Sequence, residues 1–339
     1  MMKGIANSFI LMMLVACMMC VSVGAWAQTD AQLTQYWAVR NYYNPAATGT
    51  TDFVNIRAGA RMQWVGIPNA PQNFIVAAES PFKIATKRIG AGLVMNQESI
   101  GLFSTTNLSA QLSYKLKLLK GILSVGVQAG LVSQSFRGSD VRLPDGEGGE
   151  SDGGSPGDGS SHGFDVGVPQ TDVKGSAVDF SVGAYYEHKY FWAGISALHV
   201  TQPALSLRAG ENDEKAYEAQ VGNMYYFMAG SNIPIKNTLF ELQPSLLLRS
   251  NLKFTQLDVT MRALYNKFIS FGVAYRTGDA VSALIGVEFK NFFFGYSYDY
   301  AVTAISRASS GSHEIFGGYR LKLNLGEKNK NKHKSIRIM

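Results

Sequence analysis

Apolar and polar residues alternate with a period of two along most of this chain. Over residues 107–116 the even positions are leucine, alanine or tyrosine, and the odd positions are asparagine, serine, glutamine or lysine. A period of two sends successive side chains to opposite faces of a β-strand. Fourteen segments share the pattern, near residues 53–64, 73–80, 88–96, 107–117, 120–131, 177–188, 190–199, 221–230, 239–249, 254–264, 268–276, 281–290, 292–299 and 312–325. The chain is therefore predicted to be all-β.

The segments are long for strands, and their connections are of two kinds. Most segments run for about ten residues, the length at which a tilted strand crosses a bilayer, whereas strands of soluble proteins average about five or six. Short turns on one side and longer loops on the other are typical of outer-membrane proteins. Tight turns occur here at residues 118–120, 188–190, 265–267 and 290–291. We predict a transmembrane antiparallel β-barrel of about 14 strands.

One hairpin near the C-terminus shows which side of the strands meets lipid. Its bulky residues lie at the odd positions of residues 281–289 and at the even positions of residues 292–298. This face would be the core of a soluble sheet, but in a membrane barrel it meets lipid while Arg276, Glu288 and Asp299 face the lumen. The predicted lumen face carries charges of both signs, which favour ion pairs over a selectivity ring. These charges are at Arg57, Arg61, Lys115, Asp179, Glu187, Glu241, Arg249, Asp258, Arg262, Arg276, Glu288, Asp299, Glu314 and Arg320.

Composition and the first residues indicate an exported membrane protein. Only 17% of residues are charged, against about 25% in soluble domains, while glycine, phenylalanine and tyrosine are plentiful. Residues 1–27 combine a short basic start, an apolar core and a small-x-small ending at Ala27, which predict a cleaved signal peptide. An uncleaved anchor also fits the length, and a lipoprotein-like motif ends at Cys17, but the apolar residues that follow Cys17 disfavour lipidation. Both cysteines lie within this segment, so we expect no disulfide or thiol chemistry in the mature chain.

After the signal peptide, the chain divides into three parts. Residues 28–51 follow neither period and form a predicted N-terminal arm, and residues 52–326 form the barrel. The barrel includes a glycine-, serine- and aspartate-rich external loop over residues 138–176. Residues 327–339 are a basic tail, which supplies most of the net charge of +6 and is either solvated or in contact with anionic partners. Nucleic acid is a poor partner for an exported chain.

The place of the arm is open from the residues alone. Its aromatic side chains can pack inside the barrel, cover its periplasmic mouth, or sit at the membrane interface. They are Tyr36, Trp37, Tyr42 and Tyr43. We assign the arm to the periplasmic side.

The sequence shows no catalytic or metal-binding motif. No two of the five histidines have the i, i+4 spacing of a helical zinc site, and the external loop keeps no calcium-binding repeat. Ser312 and His313 are neighbours in a strand and point to opposite faces, so they cannot share a proton. We expect no enzymatic activity, no metal and no cofactor.

Four blocks of sequence resemble the PorP/SprF membrane proteins of the type IX secretion system. They are YYNPAATG at residues 42–49, RMQWVGIPNAPQNF at 61–74, FGVAYRTGD at 271–279 and GYSYDYAVTAISRASSGSHEI at 295–315. The resemblance implies a non-enzymatic outer-membrane barrel that works with periplasmic lipoprotein and ring components of the secretion system. It also implies help to large client proteins, including gliding adhesins, in reaching or staying on the cell surface. A passive outer-membrane channel or solute transporter is the alternative, and a soluble periplasmic β-protein is a third hypothesis.

Within these blocks we select residues for structural or partner-binding roles. Gly49, Gly66 and Gly278 fit turns that need a permissive backbone, and Pro45 fixes an entry angle. Gln63 and Trp64 are expected to anchor the first strand at a membrane interface, and Arg276 is expected to pair with Asp279 or Asp299 inside the barrel. The full set is Tyr42, Asn44, Pro45, Gly49, Gln63, Trp64, Gly66, Arg276, Gly278, Asp279, Tyr298, Asp299, Gly311, His313 and Glu314.

Overall fold

The computed structural model describes residues 30–84, 87–141, 169, 171–210 and 217–323. The predicted signal peptide, the basic tail and most of the long external loop lie outside the described residues. Within the described part, fourteen antiparallel strands form a closed barrel in which each strand pairs with the next along the chain. The barrel predicted from the alternating pattern is confirmed, and the fourteen predicted segments correspond to its fourteen strands.

Seventeen strands are present in the described residues, and three of them are short additions to the barrel wall. The short ones are β8 (Ala204–Leu207), β9 (Tyr217–Gln220) and β11 (Ile233–Pro234). The wall strands are β1 (Phe53–Met62), β2 (Gln72–Ile84), β3 (Lys87–Ile100), β4 (Phe103–Leu118), β5 (Gly121–Phe136), β6 (Val173–Glu187), β7 (Phe191–Leu198), β10 (Met224–Ser231), β12 (Phe240–Ser250), β13 (Thr255–Tyr265), β14 (Ile269–Arg276), β15 (Ala280–Phe289), β16 (Phe292–Ala301) and β17 (Ser312–Lys322).

Two pairings complete the ring of wall strands. β1 pairs with β17 from Phe53 opposite Lys322 to Met62 opposite His313. β10 pairs with β12 across the small hairpin strand β11. Because no wall edge is left open, every strand can satisfy its backbone hydrogen bonds inside a bilayer.

The two ends of the barrel differ in their connections. At the turn end, β4 joins β5 and β15 joins β16 through tight turns, with left-handed backbone at Leu119, Lys120 and Lys290. At the loop end lie the long connections, including the one between β5 and β6. By the rule for outer-membrane barrels, the turn end faces the periplasm and the loop end faces the exterior.

The outer face of the wall is apolar and exposed, as the predicted hairpin face requires. In β15, Val281 and Ile285 are exposed while the intervening Ser282 and Leu284 are buried. Phe294 and Tyr300 of β16 are exposed in the same way. The assignment of this bulky face to lipid is confirmed by its outward direction.

The interior of the barrel is filled by the chain itself. Residues 30–49 are almost all buried, and their side chains form one core with inward residues of the wall such as Ile75, Met228, Leu247 and Phe316. The sequence left three positions open for the arm, and the structure shows it in the lumen. This corrects our assignment of the arm to the periplasmic side.

A second, smaller core lies at the loop end. The β8–β9 hairpin packs Leu205 and Leu207 against Val132, Phe136 and Val173 on the inner side of β5 and β6. No helix in the described residues is long and apolar enough to span a membrane.

Candidate functional site

The arm, residues 30–49, folds as a series of single turns. These are Tyr36–Ala38, Arg40–Tyr43 and Pro45–Ala47. Asn44 starts the last turn, because its side-chain oxygen accepts from the Ala46 N–H at 2.9 Å and its extended backbone suits the residue before a proline. Turns this short need tertiary contacts to persist, and the wall supplies them.

Asn44 also ties the arm to two wall strands. Its amide nitrogen donates to the carbonyl oxygens of Ala184 in β6 and Ile195 in β7, both at 3.0 Å. A Cβ at Gly183 would overlap this Asn44 side chain, and one at Gly126 would overlap the backbone at Ala46. The arm therefore lies in a track where the wall has no side chains.

A carboxylate clamp holds the arm near the loop end. The backbone N–H groups of Thr34 and Gln35 donate to the two oxygens of Glu314, at 2.8 and 2.7 Å. The Thr34 hydroxyl donates to Asp299 at 2.7 Å. Glu314 and Asp299 are each 1% exposed, so these hydrogen bonds are made away from water and are costly to lose.

Two arginines form ion pairs with the carboxylates of the clamp. Arg61 in β1 pairs with Asp299 at 2.7 Å and with Glu314 at 3.2 Å. Arg276 in β14 pairs with Asp258 at 2.6 Å, with Asp279 at 3.2 Å and with Asp299 at 3.6 Å. We call these six residues the arginine–carboxylate network. It joins β1, β13, β14, β16 and β17 to the arm, so it fixes wall and arm together.

A histidine holds the first described residue of the arm. His199, just after β7, contacts Asp30 through Nε2 at 3.0 Å and Asp179 through Nδ1 at 2.9 Å. Tyr226 donates to the other Asp30 oxygen at 2.7 Å. Burial by itself would lower the pKa of His199, but the two aspartates raise it to about 10. The imidazole is therefore a cation at neutral pH.

The pKa of Asp30 moves in the complementary direction. Burial opposes its ionisation, but the charge and hydrogen bond of His199, with the Tyr226 hydroxyl, hold the pKa below its ordinary value. The pair is therefore ionised at neutral pH and anchors the arm in the outer half of the lumen.

Polar and aromatic contacts hold the arm nearer the turn end. The Arg40 guanidinium lies 4.3 Å from the centre of the Trp192 ring and donates to the Tyr185 hydroxyl at 3.0 Å. Gln111 donates to the Asn41 carbonyl at 2.8 Å and accepts from the Thr48 hydroxyl at 2.7 Å. The arm is thus held along its whole length.

The selected residues of the first block all lie in the arm. Tyr42, Asn44 and Pro45 are buried in the lumen. Gly49 has φ 61° and donates its N–H to Glu79 at 2.7 Å, where the chain turns toward β1. Gly49 thus has left-handed backbone at this turn.

The selected charged residues meet in the arginine–carboxylate network. Arg276, Asp279, Asp299 and Glu314 all belong to it, and the predicted pairing of Arg276 with Asp279 and Asp299 is observed. Gly278 has φ 68° in the turn beside Asp279.

A second group of selected residues joins two loops at the loop end. Val65 donates its N–H to Gly311 at 2.8 Å, and Ser310 donates back to Val65 at 2.7 Å. Gly66 has φ 103° there, as expected of a turn glycine. The Tyr298 hydroxyl donates to the Ser310 carbonyl at 3.0 Å.

The expected interface anchor is corrected by the structure. Gln63 is 5% exposed, and Trp64 lines a cavity of about 510 Å³ at the loop end. Trp64 thus borders the mouth of the barrel rather than the membrane interface. His313 lies on the opposite face of β17 from Ser312 and contacts the Tyr296 hydroxyl at 2.7 Å, as expected for neighbours in a strand.

Several residues of the site were not selected from the sequence. Arg61, Asp179 and Asp258 were assigned to the lumen face but not to the site, while Asp30, Thr34 and His199 were not singled out. The inward register of the strands was the signal available for the wall residues, whereas the arm residues carried no periodic signal.

The arrangement is suited to closing a lumen. It contains paired charges and buried hydrogen bonds, and no group of three or more histidine, cysteine, aspartate and glutamate side chains in the described residues is placed to hold a metal ion. The arm separates the loop-end cavity from a second cavity of about 630 Å³ at the turn end.

Fold and site together define an outer-membrane β-barrel whose lumen is occupied by its own N-terminal arm. Residues 25–319 match the model of the type IX secretion system membrane protein PorP/SprF family, and the chain belongs to this family. It is therefore a membrane protein of type IX secretion, located in the outer membrane. No curated protein sequence matches the chain.

Solved structures of other barrels share limited similarity with the chain. The Ralstonia pickettii toluene transporter TbuX is 10% identical with a TM-score of 0.46, over 83% of this chain and 92% of that one. A Pseudomonas aeruginosa FadL homologue is 12% identical with a TM-score of 0.43, over 82% and 92%. The Acinetobacter baumannii outer membrane protein Omp33 is 5% identical with a TM-score of 0.41, over 80% and 99%.

Proposed function

We propose that this protein is a non-enzymatic docking component of type IX secretion. Its turn end binds periplasmic secretion or gliding components, and its loop end assists the secretion or surface anchoring of client proteins. Family membership supports the secretion role. The strands contact lipid on their outer face and the arm on their inner face. Only the two ends of the barrel are therefore open to other proteins.

The occupied lumen is the observation that carries the proposal. A passive channel or solute transporter needs a water-filled path, and residues 30–49 fill that path with a buried core. Clamps of this kind are costly to open, because each buried donor or acceptor left without a partner costs about 1–3 kcal/mol. Permeation would therefore need the arm to leave the lumen.

Conductance of the purified protein in planar bilayers separates the two functions. We expect little stable current from the wild type. A Tyr36→Ala/Tyr43→Ala double variant, which removes two fully buried arm side chains, should show channel openings. A Tyr296→Ala/Tyr300→Ala variant removes two lipid-facing tyrosines and should remain silent. A robust wild-type current would contradict the docking function and support a channel.

Recovery of partners provides the second test. Affinity purification of the tagged full chain from crosslinked native outer membrane should recover secretion-system components, with crosslinks at turn-end residues, and client protein, with crosslinks at loop-end residues. A wild-type chain that purifies alone under crosslinking would refute the proposal.

A further inference from the structure

The turn end of the barrel is strongly cationic. Ten lysine and arginine side chains are exposed there in the described residues, and at least one lies in or beside every turn. Among the described residues of this end, Asp52 is the exposed carboxylate that opposes them. The net charge of the protein is thus distributed unevenly along the barrel axis.

Part of this charge surrounds one concave opening. Four cations from three different turns line the turn-end cavity of about 630 Å³, together with the carboxylates of Asp52 and Glu187. The cations are Arg88, Lys117, Lys120 and Lys189. We call this cavity the basic mouth. Cations outnumber carboxylates in this lining, and a concave surface with such an excess focuses the electrostatic potential more strongly than the same charges on a flat surface.

Two of the mouth cations, Arg88 in β3 and Lys117 in β4, occupy inward positions of the wall and therefore do not face lipid. Lys83 lies directly opposite Arg88, and Arg88 directly opposite Lys115, all on inward positions of β2, β3 and β4. Like charges directly opposite each other destabilise a sheet. The exposed ion pair between Arg88 and Asp52, at 3.4 Å, compensates little of this repulsion. Lys115 is half-buried and is attracted by Glu79 and Glu187, whereas Lys83 and Arg88 remain exposed at the opening.

Other cations at this end face the membrane boundary instead. Lys87 lies 5.4 Å from the centre of the Tyr114 ring, and Lys290 lies 5.3 Å from that of Phe289. Cations that rest on outward aromatic rings are explained by the membrane interface. These residues form a natural comparison set for the mouth.

The chain beyond the last strand adds charge of the same sign. Residues 324–339, which follow the turn-end residue Leu323, contain five lysine or arginine residues and one glutamate. Residues 142–168 and 211–216, which belong to loop-end connections, contain nine carboxylates and two cations.

We propose that the basic mouth binds an acidic segment, rich in aspartate and glutamate, of a periplasmic protein partner. This deepens the docking function proposed above and rests on it. The inward register and concave shape suit a protruding peptide segment, which can enter the mouth where a bilayer surface cannot. Several exposed ion pairs acting together give the contact its strength, so binding should fall steeply with salt.

The test uses the full chain in phosphatidylcholine nanodiscs and a fluorescein-labelled oligoglutamate peptide, with binding followed by anisotropy. The mouth variant is Arg88→Gln/Lys117→Gln/Lys120→Gln. The control variant is Lys87→Gln/Lys267→Gln/Lys290→Gln, which removes the same charge outside the mouth. A retained heat-dependent mobility shift on gels verifies that each barrel is folded.

We expect the mouth variant to weaken peptide binding by at least about tenfold, since three exposed ion pairs are lost, and the control by less than about twofold. Equal losses in both variants, or no binding by the wild type, would overturn the proposal. So would a mouth variant that binds peptide normally but loses retention on phosphatidylglycerol vesicles, because its cations would then serve lipid.

Native purification distinguishes this inference from the function on which it rests. If the wild type recovers secretion components and the mouth variant loses them, both the binding inference and the docking function are supported. If the mouth variant recovers them as well as the wild type does, the basic mouth is not the docking site although the docking function survives. If the wild type recovers none, the docking function itself fails.

Discussion

Replacement of Glu314 by alanine should release the arm from the loop-end half of the barrel. The substitution removes the acceptor of two arm N–H groups, those of Thr34 and Gln35, and one of the two carboxylates bound by Arg61. Each orphaned donor costs about 1–3 kcal/mol in a buried site. A combined loss of about 3 kcal/mol raises the population of the released arm roughly a hundredfold.

Thiol labelling measures this release directly. Both native cysteines lie in the predicted signal peptide, so a mature chain carrying Ala31→Cys would have one thiol, at a position that is 1% exposed. When the arm closes faster than the reagent reacts, the labelling rate follows the open population. We expect a water-soluble maleimide to label Ala31→Cys slowly, and roughly a hundredfold faster when Glu314→Ala is added.

Glu288→Ala is the matched control for this experiment. Glu288 is another inward carboxylate, but it pairs with Arg320 at 2.5 Å near the turn end. The Glu288→Ala substitution should change the labelling rate of Ala31→Cys by less than about twofold, because no arm contact is lost. An unchanged rate in Glu314→Ala, or an equal acceleration in Glu288→Ala, would refute the clamp.

The remaining predictions concern the wall, the arm track and pH. Ile285→Arg places a charge on the lipid face at a cost of about 2–4 kcal/mol and should impair assembly, whereas Glu288→Gln should be tolerated; the heat-dependent gel shift reports both, and equal harmlessness would contradict the lipid assignment. Gly183→Leu should displace the arm and produce bilayer current, whereas Val182→Leu, on the outer face, should not; silence of both would contradict the track. The pKa of His199 is raised to about 10, so its stabilisation of the arm is complete below its ordinary pKa of about 6.5 and is lost as pH rises through 10. Tryptophan fluorescence of thermal unfolding should therefore show a loss of stability between about pH 6.5 and about 10 that His199→Gln abolishes, and identical profiles would refute the anchor.

Most of the wall could be predicted from the sequence because its physics is local. A strand with one face on lipid and one on a polar lumen must alternate, and about ten residues are needed for the span. The inward position of Asp258, Asp299 and Glu314 follows from that alternation alone. Three of the five glycines with positive φ in the described residues, Gly49, Gly66 and Gly278, were assigned to turns because they lie beside turn-forming residues, whereas Gly101 and Gly311 were not.

The site was harder to predict because its partners are distant in sequence. Thr34 and Glu314 are separated by 280 residues, and Asp30 and His199 by 169. The alternation of polar and apolar residues could place Arg61 and Arg276 in the lumen. It could not predict which carboxylate each arginine contacts. Trp64 was assigned to the membrane interface because tryptophan is common there, whereas the loop between β1 and β2 turns it toward the mouth.

The sequence by itself determined an outer-membrane barrel of fourteen strands, because alternating strands of about ten residues can satisfy their backbone hydrogen bonds in a bilayer only when the sheet closes. The tertiary structure alone decided the place of the arm. Residues 30–49 have no period, and their turns are too short to be stable by themselves. Their position depends on single contacts from strands throughout the wall, and those contacts exist only once the barrel has closed.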